Sequence, residues 1–219
     1  MKLLRSFEEF IFEAVTWLVL YPISLWRIFT QPLTTMAYSD AEQLLDEKGR
    51  YAEILSPPLM LLVTVFALNG IVGLMLPETI HGQNRLTREI FSSPQYMALF
   101  RAIMFSLLPL VGAVILLRRT KVKLTRDTIR TPFYAQCYLA IPCAIITSLG
   151  LAIFKRHDIP DLIGVALLVG GGAWFLVTQT RWFRSRLNVS WLNAALTALS
   201  ASVQSVIYVL ALVIPIALV

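Results

Sequence analysis

Long apolar stretches separated by short polar loops make up most of the chain beyond position 56. We identify five of them, at 57–76, 97–117, 133–154, 162–180 and 191–219. The first has twenty residues and no charge. A helix rises about 1.5 Å per residue, so this stretch would span roughly 30 Å, the thickness of the hydrocarbon core of a bilayer. The pattern predicts an all-α fold, a polytopic transmembrane helix bundle with five spans.

The segment before these stretches is apolar but short. Residues 14–26 form a run of thirteen without a charge, and Pro22 lies within it. A transmembrane helix needs about 20 apolar residues. Further upstream, apolar residues recur at helical spacing, with charged residues on the other faces. We predict an amphipathic helix that lies in the membrane interface over residues 2–29, with a sixth span as the alternative.

A short acidic helix is predicted after this segment. Ser39 can cap a helix that runs through Glu47, with acidic residues in its first turn. The carboxylates of this helix, Asp40 among them, are predicted to face solvent. The predicted organisation is therefore a cytoplasmic N-terminal region over residues 1–56, which holds both helices, and a five-span transmembrane domain over residues 57–219.

Lysine and arginine alternate between rich and poor loops. The N-terminal region holds five of them, and the four later loops hold three, six, two and three. With the N-terminal region inside, fourteen lie on the inner side and five on the outer side. Cytoplasmic loops carry the excess of positive charge. We therefore predict a cytoplasmic N-terminus, with Val219 on the outer side.

The composition is typical of a membrane protein and argues against other classes of protein. Hydrophobic residues make up 57 % of the chain and charged residues 15 %, against about 45–50 % and 25 % in a soluble domain. The formal charge of +6 does not indicate nucleic-acid binding, because the basic residues lie between apolar stretches, where they orient the chain and contact anionic lipid. Cys137 and Cys143 are six positions apart, which is neither a redox nor a metal-ligand spacing.

The sequence contains no catalytic pattern that we can identify. It has no H-E-x-x-H and no G-x-S-x-G, and its two histidines, His81 and His157, fall in predicted outer loops. We predict that the protein is not an enzyme and that it has no cofactor and no metal site.

Transport is the main alternative function. A coupled carrier usually keeps an ionisable residue at membrane depth. The charged residue within the predicted spans, Arg101, lies one turn inside the second, where it can reach the headgroups, and the other polar residues that we identify there are neutral. They are Asn69, Ser106, Thr147, Ser148, Gln179 and Gln204. Such side chains often bond to a neighbouring helix or to their own backbone. A transporter or channel component stays open, and a polar cavity at mid-membrane would favour it.

Positive charge is densest between the second and third apolar stretches. The candidate binding residues there are Arg118, Arg119, Lys121, Lys123, Arg126 and Arg130. One interpretation is an orientation signal alone. The functional one is a site for anionic lipid or an acidic protein partner, since each positive charge near the surface adds ~1 kcal/mol. The acidic stretch at 40–53, on the same predicted side, is a candidate partner within the chain or between subunits.

Small residues mark the predicted contacts between helices. Helices in lipid associate where small side chains let their backbones approach. The fifth and fourth apolar stretches supply such residues at Ala194, Ala198, Ser202, Gly170, Gly171 and Gly172. For the glycine triplet, a hinge or an unwound ion-binding segment is the functional alternative.

Three local sequences resemble bacterial members of the Yip (Ypt-interacting protein) domain family. They are Leu25-Trp26-Arg27 leading to Gln31-Pro32, the TPFYAQ sequence at 131–136 with Pro142 beyond it, and Trp174 followed by the VSWLNA sequence at 189–194. They are similar to the amphipathic entry, the start of the third span and the passage between the last two spans of those members. The resemblance implies a cytoplasmic N-terminal region, five spans and partner binding.

One motif of that family is absent. Eukaryotic members carry an acidic-Leu-Tyr-Gly-Pro stretch, and Tyr38-Ser39-Asp40 does not replace it here. Binding of small GTPases is therefore not carried over. We predict a non-enzymatic integral protein of a bacterial inner membrane that acts as a scaffold, assembly factor or accessory subunit. Its expected partners are membrane lipids and other integral membrane proteins or further copies of itself, and not nucleic acid.

Overall fold

A computed structural model describes residues 2–45, 50–51, 54–75, 93–154, 156 and 158–218. Over these residues the chain is 87 % helical, with seven helices and no strand. The helices are α1 Lys2–Thr30, α2 Pro32–Glu42, α3 Pro57–Met75, α4 Pro94–Arg119, α5 Arg126–Phe154, α6 Asp161–Leu187 and α7 Trp191–Leu218. The all-α prediction is confirmed for this part of the chain.

Four of the helices are long and apolar enough to cross a membrane. They are α4 to α7, over Gln95–Arg119, Arg126–Phe154, Asp161–Leu187 and Trp191–Pro215. The apolar part of α3, Pro57–Gly73, is shorter than these four. Length and composition therefore confirm the last four predicted spans, while the count of five is not confirmed.

Helix α5 is at the centre of the bundle. It contacts α2, α3, α4 and α6, and α7 packs on α4 and α6. Every residue from 135 to 142 is buried, and within this run the hydroxyl of Tyr138 donates to the carbonyl of Leu55 at 2.7 Å. A helix that neighbours cover on several sides is apolar around most of its circumference, which explains the long apolar run in this part of the sequence.

One apolar core includes residues from both sides of position 56. One cluster contains Ile28 of α1, Ile54, which precedes α3, and Met60 of α3, and each of them is at most 1 % exposed. A second cluster joins Met36 of α2 to Phe183 of α6. The N-terminal helices therefore pack against the bundle formed by the later ones.

Helix α1 contacts α3 and the segment that precedes it through side chains. The Tyr21 hydroxyl lies 2.9 Å from Oγ1 of Thr64, and the Oγ of Ser24 accepts the N–H of Leu55 at 3.4 Å. Over residues 15–30, α1 also exposes apolar side chains, among them Leu18 at 76 %.

The short helix α2 lies earlier in the chain than predicted. It runs Pro32–Glu42 after a non-helical Gln31, because proline at a first helical position has its φ already set for a helix and lacks an N–H that would go unbonded. Ser39, predicted as the N-cap, is instead buried near the C-terminal end of this helix. Residues 46–49, where the predicted helix was to end, lie outside the described residues.

The prediction that the acidic residues here face solvent is wrong for Asp40 and Glu42. Asp40 forms an ion pair with Arg186 of α6, and its side chain is 18 % exposed. Glu42 is 8 % exposed and accepts the backbone N–H of Tyr51. The reason is the packing of α2 against α5 and α6, since carboxylates withdrawn from water require charged or N–H partners.

Candidate functional site

A tight turn joins α4 to α5 and carries four of the predicted basic residues. The N–H of Val122 donates to the carbonyl of Leu117 at 3.0 Å and that of Lys121 to the carbonyl of Arg118 at 3.2 Å, which is the bond pair of a Schellman cap. Lys121 has a φ of 57° at the left-handed position of this cap, where glycine is usual. The turn makes α4 and α5 antiparallel neighbours.

Two threonines begin α5 by capping each other. The N–H of Thr125 donates to Oγ1 of Thr128 at 2.9 Å, and the N–H of Thr128 donates to Oγ1 of Thr125 at 3.2 Å. The helix then starts at Arg126. Positions four apart share one face of a helix, so Arg126, Arg130 and Tyr134 form a single row.

An open cleft of about 700 Å³ lies beside this row. It is lined by Leu110 of α4 and by Arg126, Asp127, Ile129, Arg130, Phe133 and Tyr134 of α5. We call it the α4–α5 cleft. It therefore has charged groups at the end near the turn and apolar groups towards the middle of the two helices.

The polar wall of the cleft is held by aromatic contacts. The guanidinium carbon of Arg130 lies 5.6 Å from the ring centroid of Tyr134, and Tyr51 stacks on Tyr134 with centroids 6.2 Å apart. The Tyr51 hydroxyl accepts from Nε2 of Gln43 at 2.6 Å and lies 3.2 Å from Oγ of Ser39. Burial raises the pKa of Tyr51 above its usual value. The cleft is thus connected through Tyr51 to helix α2.

The six predicted basic residues divide into two groups. Arg126 and Arg130 line the α4–α5 cleft. Arg118, Arg119, Lys121 and Lys123 are exposed at the turn and are not among the cleft residues. The sequence alone could not separate the groups, because both are basic and close together along the chain.

The three predicted packing residues of α7 differ in what they do. Ala194 and Ala198 are 0 % exposed. The hydroxyl of Ser202 donates to the carbonyl of Ala198 in the same helix at 2.9 Å.

In the glycine triplet, only Gly171 meets another helix. A Cβ on it would stand 2.3 Å from Cγ2 of Ile146, whereas one on Gly170 or Gly172 would meet no atom within 4 Å. Helix α6 is continuous through the triplet, so the unwound-segment alternative is wrong.

Two buried amides lie where α4, α5 and α6 meet. Gln136 is 1 % exposed and Gln179 is 2 % exposed, and neither Oε1 has a hydrogen-bond partner among the residues that the structure describes. A Cβ on Gly112 would be 3.0 Å from Oε1 of Gln136 and 3.2 Å from Nε2 of Gln179. Gly112 therefore gives both amides room.

Gln136 was not among the polar residues identified from the sequence. A signal was present, because its amide interrupts a long apolar run in the third stretch. Another polar residue, Asn69, accepts from Nη1 of Arg101 at 2.9 Å, whereas the Ser106 hydroxyl bonds to its own helix at the carbonyl of Ala102. Asn69 therefore bonds to a side chain of a neighbouring helix, whereas Ser106 bonds to the backbone of its own helix.

The chain matches no protein-family model, no curated protein and no solved structure. Among the described residues, no group of three or more His, Cys, Asp or Glu side chains could hold a metal ion. His81 and His157 lie outside the described residues. The α4–α5 cleft is the candidate site that the described residues support best.

Proposed function

We propose that this chain is a non-enzymatic integral membrane protein that acts as a scaffold, assembly factor or accessory subunit. It binds membrane lipids or other membrane proteins, and the resemblance to the Yip family motivates the same idea. The observation that carries the proposal is the α4–α5 cleft, in which two arginines and a tyrosine line one end of a bundle of apolar helices. Arginine and tyrosine are side chains that favour a membrane–water interface.

The proposed topology has five spans in a bacterial inner membrane. Helix α3 is the additional span, because its 19 residues reach about 28 Å at ~1.5 Å per residue. The N-terminal region and the turn between α4 and α5 are cytoplasmic, and the C-terminus is on the outer side. Membrane-impermeant labelling of a cysteine introduced at Lys123 tests this orientation, and labelling from the outer side alone would reverse it.

The buried amides favour a second candidate function, a transporter or channel component. Among the described residues, the Oε1 atoms of buried Gln136 and Gln179 have no hydrogen-bond partner, and polar side chains at membrane depth can mark a solute pathway. Two observations favour the scaffold. Helix α6 is continuous, and the amides lie close enough to Gly112 that a single added methyl would contact them.

Affinity purification in mild detergent, followed by mass spectrometry, tests the proposed function. The wild-type chain is compared with Arg126→Glu/Arg130→Glu, and Arg118→Glu/Arg119→Glu is the matched control with the same change in charge. Proteins held through the cleft should be lost from the first variant and kept by the second. If the wild-type particle contains this chain alone and no lipid, the scaffold proposal is overturned.

A further inference from the structure

The lining of the α4–α5 cleft is divided along its length. Arg126 and Arg130 lie at the end near the turn, one helical turn apart on α5. Phe133 and Leu110 lie at the other end, and Leu110 is 39 % exposed on α4. A ligand that fills such a cleft has an anionic group at one end and an apolar group at the other.

The length of α5 indicates that the boundary between the charged and the apolar lining of the cleft lies at the surface of the bilayer. The helix has 29 residues and is about 43 Å long at ~1.5 Å per residue, whereas the hydrocarbon core is about 30 Å thick. The first turns of α5, with Arg126 and Arg130, therefore extend into the headgroup region. Leu110 is nine residues before the end of α4, which brings it about 13 Å along the helix towards the hydrocarbon.

The charge of the cleft selects one kind of headgroup. Two guanidinium groups and one carboxylate, Asp127, give the lining a net positive charge. Arginine binds phosphate through paired N–H donors, and the contact with the Tyr134 ring at 5.6 Å positions one of the two guanidinium groups at the cleft wall.

We infer that the α4–α5 cleft is a binding site for one anionic glycerophospholipid. Its phosphate lies between Arg126 and Arg130, and one acyl chain follows Phe133 and Leu110 into the bilayer. This inference rests on the proposed function, since it names the lipid class that the cleft of a membrane scaffold would hold.

Native mass spectrometry of the full-length chain in an uncharged detergent tests the inference. The chain is titrated with phosphatidylglycerol and, separately, with phosphatidylcholine of the same acyl chains. We expect one high-affinity phosphatidylglycerol and no comparable site for phosphatidylcholine. Arg126→Gln/Arg130→Gln should weaken that site about 30-fold. Each guanidinium loses a charge-assisted hydrogen bond to the phosphate, which is roughly twice as strong as the neutral one that glutamine can make, so the two changes cost about 2 kcal/mol, and ~1.4 kcal/mol is tenfold.

The matched control is Arg118→Gln/Arg119→Gln, which removes the same charge at the turn. It should change the affinity by less than about threefold, since screened surface charges act diffusely. Equal losses in the two double variants would show general attraction to a basic surface and overturn the cleft site. Equal binding of the two lipids would overturn it as well.

Two soluble competitors separate a lipid from a free anion. Inorganic phosphate and glycerophosphoglycerol, the deacylated headgroup, lack the apolar part and should not displace the bound lipid. If either displaces it at the same concentration as the lipid itself, the site holds a phosphate ion and the lipid assignment is wrong.

The outcome also distinguishes this inference from the proposed function. A scaffold that uses another surface would keep its protein partners in the Arg126→Gln/Arg130→Gln variant and would show no preference for phosphatidylglycerol in the wild-type chain. That result removes the lipid site and leaves the scaffold proposal in place. A lipid preference in a chain with no protein partner supports the lipid site and removes only the binding of other membrane proteins from the proposed function.

Discussion

Alanine at each position of the glycine triplet in α6 should separate positions that face protein from positions that face lipid. A Cβ on Gly171 would be 2.3 Å from Cγ2 of Ile146 and 3.1 Å from its Cβ, whereas Gly170 and Gly172 have no atom within 4 Å of theirs. The three glycines are consecutive in one continuous helix. They therefore differ mainly in the direction that each one faces.

The distances give the size of the effect. Carbon atoms pack best at about 3.5–4.0 Å, so Ile146 must move by roughly 1 Å or more to admit the new methyl group. Isoleucine in a helix has one strongly preferred χ1 rotamer, so the overlap strains the side chain or separates α5 from α6. Overpacking costs about 1–3 kcal/mol, and alanine recovers ~1 kcal/mol of helix propensity relative to glycine.

We therefore expect Gly171→Ala to lower the free energy of unfolding by up to about 2 kcal/mol. Gly170→Ala and Gly172→Ala should raise it by up to ~1 kcal/mol. Unfolding of the full-length chain in mixed micelles, at increasing fractions of a denaturing detergent and followed by circular dichroism, measures the difference. The double variant Gly171→Ala/Ile146→Ala should be no less stable than Ile146→Ala alone, because the shortened residue 146 leaves space.

Two results would contradict a close contact between Gly171 and Ile146. If Gly170→Ala were as destabilising as Gly171→Ala, glycine would be required by the helix itself and not by its contact with α5. If all three alanine variants were as stable as the wild-type chain, the close approach at Ile146 would be absent from the folded protein.

Four further results are expected. Gly112→Ala should lower stability by up to about 2 kcal/mol in the same unfolding assay, because its Cβ would be 3.0 Å from the Gln136 amide and overpacking exceeds the ~1 kcal/mol that alanine gains in a helix. Adding Gln136→Ala should remove that loss. Lys121→Gly should raise stability by about 0.5–1 kcal/mol, because the φ of 57° at this position strains any residue with a Cβ; Lys121→Ala should give no gain. Burial raises the pKa of Tyr51 above 10.0, so the folded chain holds this proton more tightly, and the free energy of unfolding should fall as the pH rises past about 10. Tyr51→Phe should make the free energy of unfolding fall less steeply with pH. An unchanged pH dependence would show that Tyr51 is not the group responsible. Asp127→Asn should strengthen phosphatidylglycerol binding about fivefold, because it removes one negative charge worth ~1 kcal/mol from the cleft. Weaker binding would instead show that the Asp127 carboxylate contacts the lipid headgroup.

Part of the candidate site was predictable from the sequence, and part was not. Arg126 and Arg130 were identified from charge density, and their spacing of four residues puts them on one face of any helix. The presence of Leu110 in the same cleft was not predictable, because it depends on how α4 lies against α5. Helical spacing relates residues within one helix and gives no residue-level alignment between two helices.

The misplaced acidic helix has a similar explanation. Ser39 followed by acidic residues matches a helix start, but Pro32 begins the helix seven residues earlier and leaves Asp40 near its end, paired with Arg186. Local signals compete, and the packing of α2 on α5 and α6 satisfies the carboxylate in a way that no local pattern shows.

The sequence by itself determined the helical class and four membrane-length helices, because the length of an apolar run is a property of one segment and needs no partner. Only the tertiary structure decided which faces of those helices meet. The surrounding lipid is as apolar as a neighbouring helix, so hydrophobic periodicity does not distinguish them, and Gly171 and Gly170 could not be told apart until the position of Ile146 was known.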